Sequence, residues 1–338
     1  MIEKITWIAD VSSNWESLDH AKKIIEECKK IGVDYVKFQS FKADSIVSKK
    51  TFNSLKTAHQ KDWDSVYDVY KKYELPDGWV YKLYKCCKEN NVGFMSSPYS
   101  LEVVDWLDPY QNYIKLGSGE ITHKDMLIKC SQMNKPIILA VGASTRGDIS
   151  RAMNILRNNK VILMQCNTSY DGNDKYNLNH LNISAISFLR QYGCEVGLSD
   201  HSKSDIPIIS AITLGARYIE RHIKLDDNDS PDDKFSLTIK EFSDMIQMGN
   251  QTLQTLGNGI KNIEENERQT HIVQRRSWHA TRDIKAGEFI RKQDIIALRP
   301  CKKDGISPMY NITSCQASVN IKQGDYIRLR DLSRGYPY

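Results

Sequence analysis

Two short stretches carry the residues best suited to chemistry: Val196-Gly-Leu-Ser-Asp-His201 and, one helix later, Tyr218-Ile-Glu-Arg-His222. Each is an apolar run that ends abruptly in Ser, Asp, Glu, Arg or His, the pattern of a buried strand with a polar C-terminal tip. Between them lies the helix-length run Ile206-Pro-Ile-Ile-Ser-Ala-Ile-Thr-Leu214; Pro207 is tolerated in a first turn, and Gly215 supplies a stop. Strand, helix, strand implies a right-handed parallel crossover, which puts both tips on one edge of a sheet. His201 and His222 then project from neighbouring strands into one place. Two imidazoles in acidic company suit a divalent transition metal. A lone strand-end histidine is ordinarily a hydrogen-bonded structural residue; the shared edge is what favours a site here.

The elements that must hold these tips repeat along the chain. The apolar patterning predicts strands over residues 5–9, 33–39, 93–97, 113–116, 137–141, 161–164, 196–201 and 218–222. It predicts helices over 18–31, 79–90, 101–107, 146–158, 206–214 and 239–256. A polar segment from Ser40 to about Leu75 reads as a long loop, a length that is usually functional or mobile. Eight strand–helix units make an α/β protein, a (β/α)8 barrel over residues 1–259; a doubly wound open sheet is the alternative. Residues 260–275 are charged and lack apolar spacing, so they read as a solvated linker. From Arg276 to Tyr338 short apolar segments alternate with turns at Gly287 and Gly324, the pattern of a small β-rich domain. A domain that small gains stability by docking elsewhere.

Composition narrows the class. The 338 residues are 40% apolar and 26% charged, with a net charge of +5 and no long Lys/Arg run. Nucleic-acid binding is not indicated, whereas an anionic small substrate is. The eight cysteines show no CxxC spacing and read as buried apolar residues of a reducing compartment. No apolar run approaches the roughly 18 residues of a membrane span, and no leader pattern opens the chain, so the expectation is a soluble, cytoplasmic protein.

In a barrel, polar residues at strand C-termini line the active site. Here they are Lys37, Gln39, Ser97, Lys115, Ser118, Glu120, Asn167, Tyr170, Ser199, Asp200, His201, Glu220 and His222. Lys37 and Lys115 bring positive charge to one mouth, and Gly117-Ser-Gly119 exposes backbone N–H groups beside Lys115 as an anion nest. Either feature alone is ordinary structure. Beside a histidine pair they point to a phosphate or carboxylate ligand next to a metal. The acidic run Asp226–Asp229 and Asp232-Asp233 is weaker evidence, with room for one sugar-binding carboxylate.

Several of these stretches resemble the sialic acid (nonulosonic acid) synthase family. The likeness is carried by Val36-Lys-Phe-Gln-Ser-Phe-Lys42, Phe94-Met-Ser-Ser-Pro98, Tyr113-Ile-Lys-Leu-Gly-Ser-Gly-Glu120, Val196–His201 and Gly215-Ala-Arg-Tyr-Ile-Glu-Arg-His222. Arg276-Ser277, Asp283-Ile-Lys-Ala-Gly-Glu288 and Leu298-Arg-Pro300 resemble its C-terminal antifreeze-like (SAF) domain. The resemblance implies an enzyme, a transferase that condenses phosphoenolpyruvate with an N-acyl hexosamine, releasing phosphate by C–O cleavage. It implies phosphoenolpyruvate at Lys37, Ser97, Lys115 and Ser118, and Mn2+ or Mg2+ on His201 and His222. It puts Gln39, Glu120, Tyr170 and Asp232 on the sugar side and Glu16 at a catalytic carboxylate. Rim position adds Ser199 to the anion side and Glu220 as a further catalytic carboxylate. Arg299 matches an arginine that enters the partner's barrel in a homodimer with swapped C-terminal domains.

The chain departs from the family at four places. Asn14-Trp15-Glu16-Ser17 stands where relatives have Asn-His-Asn/Glu-Gly, Asp10 where they have Glu, and Ala140 where serine is common. The loop before Asp232 is one residue shorter. Two other readings remain: a phosphoenolpyruvate aldol-type synthase making a shorter 3-deoxy-2-keto acid, and a non-catalytic sugar-binding relative.

Overall fold

The computed structural model describes residues 4–52, 66–227 and 229–333. It divides into two compact units, Met1–Gly257 and Asn258–Tyr338. The first holds eight parallel strands: β1 (Thr6–Asp10), β2 (Tyr35–Ser40), β3 (Gly93–Pro98), β4 (Ile114–Leu116), β5 (Ile137–Ala140), β6 (Val161–Cys166), β7 (Glu195–Asp200) and β8 (Tyr218–Lys224). Their order is β3-β2-β1-β8-β7-β6-β5-β4, and β3 and β4 lie close together at the two ends of that path. The sheet therefore curls into a nearly closed (β/α)8 barrel. An open doubly wound sheet would not pair β1 with β8, as happens here from Thr6↔Tyr218 to Asp10↔His222.

Period-two alternation sorts every strand into an inner and an outer face. Inside, Ile8, Met95, Ile138, Ile162, Met164 and Tyr218 form one buried cluster that fills the barrel. Outside, Trp7, Val36, Phe38, Phe94, Leu116, Leu198 and Ile219 join a second core with the helix faces. Those helices match their strands: Leu18–Lys30 buries Ala21, Ile24, Ile25 and Cys28, and Trp7 meets Phe242 of Ile239–Thr255 edge-on at 6.1 Å. One inward position beyond the apolar layer, the chain turns polar on most strands. Asp10, Lys37, Ser97, Lys115, Ser199 and Glu220 occupy that next layer.

The structure adds elements that the patterning missed. Lys124–Ser131 and Ala185–Leu189 are helical, and the segment expected as a loop contains Ala43–Ile46, Lys49–Phe52 and Val66–Lys72. The part of that segment at 53–65 lies outside the described residues, as does Asn228 of the acidic run. β6 and β8 run on to Cys166 and Lys224, two residues past the tips expected from hydrophobicity. All eight cysteines are free thiols, and burial pushes Cys166 up to about 11 and Cys130 up to about 12. Among the described residues no helix is long and apolar enough to cross a membrane.

The second unit is built as expected from short strands. Ser277–Ala280 pairs antiparallel with Ile295–Leu298, and Gln316–Ala317 with Leu332–Ser333. Its core is small and aliphatic: Ala280, Ile284, Ile290, Ile295, Ile306, Ile312, Cys315, Ala317, Ile321 and Ile327. The segment read as a linker contains the exposed helix Arg268–Gln274.

Candidate active site

The polar layer at the C-terminal mouth of the barrel is a buried charge network. Asp10 Oδ2 lies 2.5 Å from Lys37 Nζ and 3.3 Å from His222 Nε2. Glu220 Oε1 lies 3.2 Å from Lys115 Nζ and 3.9 Å from Lys37 Nζ, and Ser199 Oγ donates to it at 3.0 Å. All five charged or ring-bearing groups are nearly inaccessible to water. Burial penalises the Glu220 carboxylate, but the ammoniums of Lys115 and Lys37 and the imidazole of His222 outweigh it and hold its pKa down to about 2. Burial likewise works against the Lys37 ammonium, and Asp10 and Glu220 reverse that effect and raise it. Glu220 is therefore held as the carboxylate and Lys37 as the ammonium.

His201 and His222 do meet, with ring centroids 5.1 Å apart, and Phe235 packs edge-on against both at 5.5 and 4.9 Å. His201 Nδ1 is 2.9 Å from the Asn167 carbonyl oxygen. A carbonyl only accepts, so Nδ1 carries the proton and Nε2 presents its lone pair. Burial, reinforced by His222, pushes His201 down to about 3, so the ring is neutral. His222 Nδ1 is buried without a hydrogen-bond partner among the described residues. A buried polar atom left bare in a charged cleft is the signature of a ligand position. Among the described residues no three His, Cys, Asp or Glu side chains are arranged to hold a metal ion together. What the site offers is a pair of imidazole lone pairs, a donor set that fits a divalent cation whose other positions go to water and substrate.

Ser97 is buried with its Oγ unpartnered among the described residues, and Ser118 Oγ accepts from the Gly142 N–H at 3.0 Å. Gly142 is required there, since a Cβ would come within 2.8 Å of that oxygen and 2.6 Å of Thr168. On the other side, Ser13 donates to Asp232 Oδ2 from its N–H at 3.0 Å and its hydroxyl at 2.5 Å. Gln39 Nε2 donates to Ser12 Oγ at 2.7 Å. Tyr170 packs on His201 at 4.6 Å and on Phe235 at 5.6 Å. Glu120 faces His123 across 3.1 Å.

One expected residue of the first unit stands apart from this cluster. Glu16 is exposed at the start of Leu18–Lys30, where its N–H donates to His20 Nδ1 at 3.2 Å. Arg299 is an exposed residue of the second unit. Asp200 takes an outward position, where it pairs with Arg221 instead of lining the mouth. Of the acidic run, Asp227 and Asp233 are bound to Lys224 at 2.6 and 2.9 Å, whereas Asp232 is held by Ser13. Trp15 packs edge-on against Trp79 at 5.2 Å and Tyr73 at 6.1 Å, so the aromatic ring is absorbed by packing.

Sequence reasoning missed the central role of Asp10, which touches both Lys37 and His222. The signal was present: Asp10 sits two residues after inward Ile8. It also missed Phe235, which read as an ordinary apolar residue.

The NeuB family profile matches residues 24–261. The chain is 34% identical over 341 residues to the N,N'-diacetyllegionaminic acid synthase of Campylobacter jejuni, covering 97% of this chain and 100% of that one. It is 29% identical over 343 residues to the pseudaminic acid synthase of the same organism, covering 97% of each. The crystal structure of N-acetylneuraminic acid synthetase from Leptospira borgpetersenii superposes with a TM-score of 0.69 at 23% identity, over 79% of this chain and 90% of that one. The last likeness speaks to the fold alone, a (β/α)8 barrel. Together with the profile, the long match to the first relative shows that this chain belongs to the NeuB family.

Proposed function

We propose that the chain is a nonulosonic acid synthase that condenses phosphoenolpyruvate with an N-acylated hexosamine and releases phosphate by C–O cleavage. The observation that carries the reading is the buried Lys37–Asp10 and Lys115–Glu220 network beside the histidine pair. Burying four charges is costly, and a trianionic substrate among fixed lysines gives that cost a purpose. The ammoniums of Lys37 and Lys115 hold the phosphate and carboxylate, and both counter the charge that develops as phosphate leaves. Ser97, Ser118 and Ser199 supply hydroxyls to the same anion.

Carbon 3 of phosphoenolpyruvate attacks the aldehyde carbon of the open-chain sugar, and water adds at carbon 2. Glu220 stays ionised, so it acts as a counter-ion and hydrogen-bond acceptor, not as an acid. Its burial and its unpartnered Oε2 favour it over the exposed Glu16 for orienting that water. Gln39, Glu120, Tyr170 and Asp232 orient the sugar, with Asp232 fixed by Ser13. His201 and His222 would hold Mn2+ or Mg2+, which when bound supplies Lewis-acid polarisation of the aldehyde. The working unit in this reading is a homodimer in which Arg299 completes the partner's sugar site.

Relatives named for legionaminic and pseudaminic acids support a 2,4-diacetamido-trideoxyhexose or a mannosamine-like sugar as acceptor. The test is phosphate release from phosphoenolpyruvate and Mn2+ with a panel of N-acyl hexosamines and phosphorylated aldoses. Release with an N-acyl hexosamine, and a product of matching mass, is expected. Release only with a phosphorylated pentose or tetrose, or with no sugar at all, overturns the reading.

A further inference from the structure

We infer that the buried Arg221–Asp200 pair is a positioning device that fixes the register of β7 and β8, and so the placement of the two imidazoles. Arg221 and Asp200 are direct cross-strand neighbours, and each is followed immediately in its strand direction by one histidine of the pair. The inference rests on reading His201 and His222 as one metal-side site.

The pair is an anomaly where it stands. Arg221 is fully buried, and it occupies an outward position on β8 between Ile8-facing Glu220 and His222. Its outer-face neighbours Ile219 and Ile223, with Ile208 and Ile212 of the covering helix, belong to the apolar outer core. Only Arg221 Nη1 is bonded, to Asp200 Oδ2; Nε and Nη2 have no partner among the described residues. Two well-packed aliphatic residues would be at least as stable there, because desolvating both ions costs as much as their attraction returns. What an ion pair gives that aliphatics do not is register. A one-residue slip of β8 against β7 would separate the two charges and turn His222 to the outer face.

Asp200 extends the brace beyond the strands. Its carboxylate accepts from the Ser202 N–H at 3.2 Å and from the Ser202 hydroxyl at 2.9 Å. The next residue, Lys203, donates its N–H to Asp174 at 2.8 Å, and His201 itself is held by the Asn167 carbonyl. Asp174 and Asn167 belong to the loop after β6, the loop that carries Tyr170. Arg221 thus lies at the root of contacts that run through Asp200 to Ser202, on either side of His201, which is itself held by Asn167.

The experiment compares wild type with Arg221→Lys and with the charge-free pair Arg221→Met/Asp200→Leu. The second protects against loss of folding, since it leaves no unpaired buried ion. The readouts are the imidazole nitrogen NMR signals of His201 and His222 without metal, melting temperature, and Mn2+ affinity by titration. The expected result is that both ring signals shift or broaden while the other histidines hold. Mn2+ binding should weaken about tenfold or more, even where the charge-free pair melts like wild type. A folded variant with both ring signals unmoved overturns the inference. Failure of wild type to bind Mn2+ overturns the metal reading instead, and the metal-free ring signals still decide the role of Arg221.

Discussion

Lys115→Met is the sharpest perturbation of the charge network, because it removes one ammonium and little volume. Lys115 and Glu220 side chains are each 3% exposed. Without Lys115, Glu220 keeps the Ser199 hydroxyl at 3.0 Å and Lys37 at 3.9 Å, and Lys37 is already engaged by Asp10. Breaking a buried pair by removing one partner costs about 3–5 kcal/mol. For a unit of this size that corresponds to a fall of about 6–20 °C in Tm. The same ammonium is proposed to hold the substrate anion, so kcat/KM for phosphoenolpyruvate should drop by about 30- to 5,000-fold. Calorimetry and a continuous phosphate-release assay read the two effects separately. The companion Lys115→Met/Glu220→Leu removes both charges and should recover much of the Tm while activity stays lost. A Lys115→Met protein that melts with wild type and keeps its phosphoenolpyruvate KM would refute both halves of the reasoning.

The other predictions are simpler. His222→Ala should weaken Mn2+ binding by at least about 10–100-fold with little change in Tm, and excess chelator should stop wild-type turnover. Unchanged turnover in chelator removes the metal from the proposal. Trp15→His, the residue usual among relatives, should cost about 1–3 kcal/mol through its lost contacts with Trp79 and Tyr73 and leave turnover near wild type; a collapse of turnover with unchanged stability would put Trp15 in the site. Mixing an Arg299→Ala chain with a His222→Ala chain should restore part of the activity, because each hybrid dimer then has one complete barrel. No restoration despite measured subunit exchange counts against the swapped dimer.

The barrel was legible in the sequence because its strands are dense in Val, Ile, Leu and Phe and recur at even spacing. What escaped has physical causes. The helix Lys124–Ser131 is short and only weakly amphipathic, and Ala185–Leu189 is a single turn and a half of chain, too short for a periodic signal. The site was legible where a polar residue follows an apolar run in an inward position, as for Lys37, Lys115, Glu220 and His222. Asp200 misled for a related reason. It ends its strand as His222 nearly does, but one register position away, and so faces the helices and not the mouth. Glu16 was assigned by motif alignment alone, and no alternation of a strand constrains a residue on a loop.

The distribution of unsatisfied atoms says what the mouth is built for. Ser97 Oγ, Glu220 Oε2 and His222 Nδ1 are each buried and without a hydrogen-bond partner among the described residues. One is a hydroxyl able to donate, one an ionised oxygen able to accept a proton, and one an imidazole nitrogen. They come from β3 and β8, strands separated in the barrel by β1 and β2, and all occupy inward positions. Leaving such atoms bare costs roughly 1–3 kcal/mol each, a cost that folding alone does not return. A ligand that accepts from Ser97, shares a proton with Glu220 and sits beside His222 returns it on binding. In the proposed reading, the strand tips hold each group in place before any ligand arrives, at the expense of the free chain's stability. That is also why the lysines are paired with Asp10 and Glu220 in the free chain. Asp10 and Glu220 hold the two ammoniums in place through these contacts.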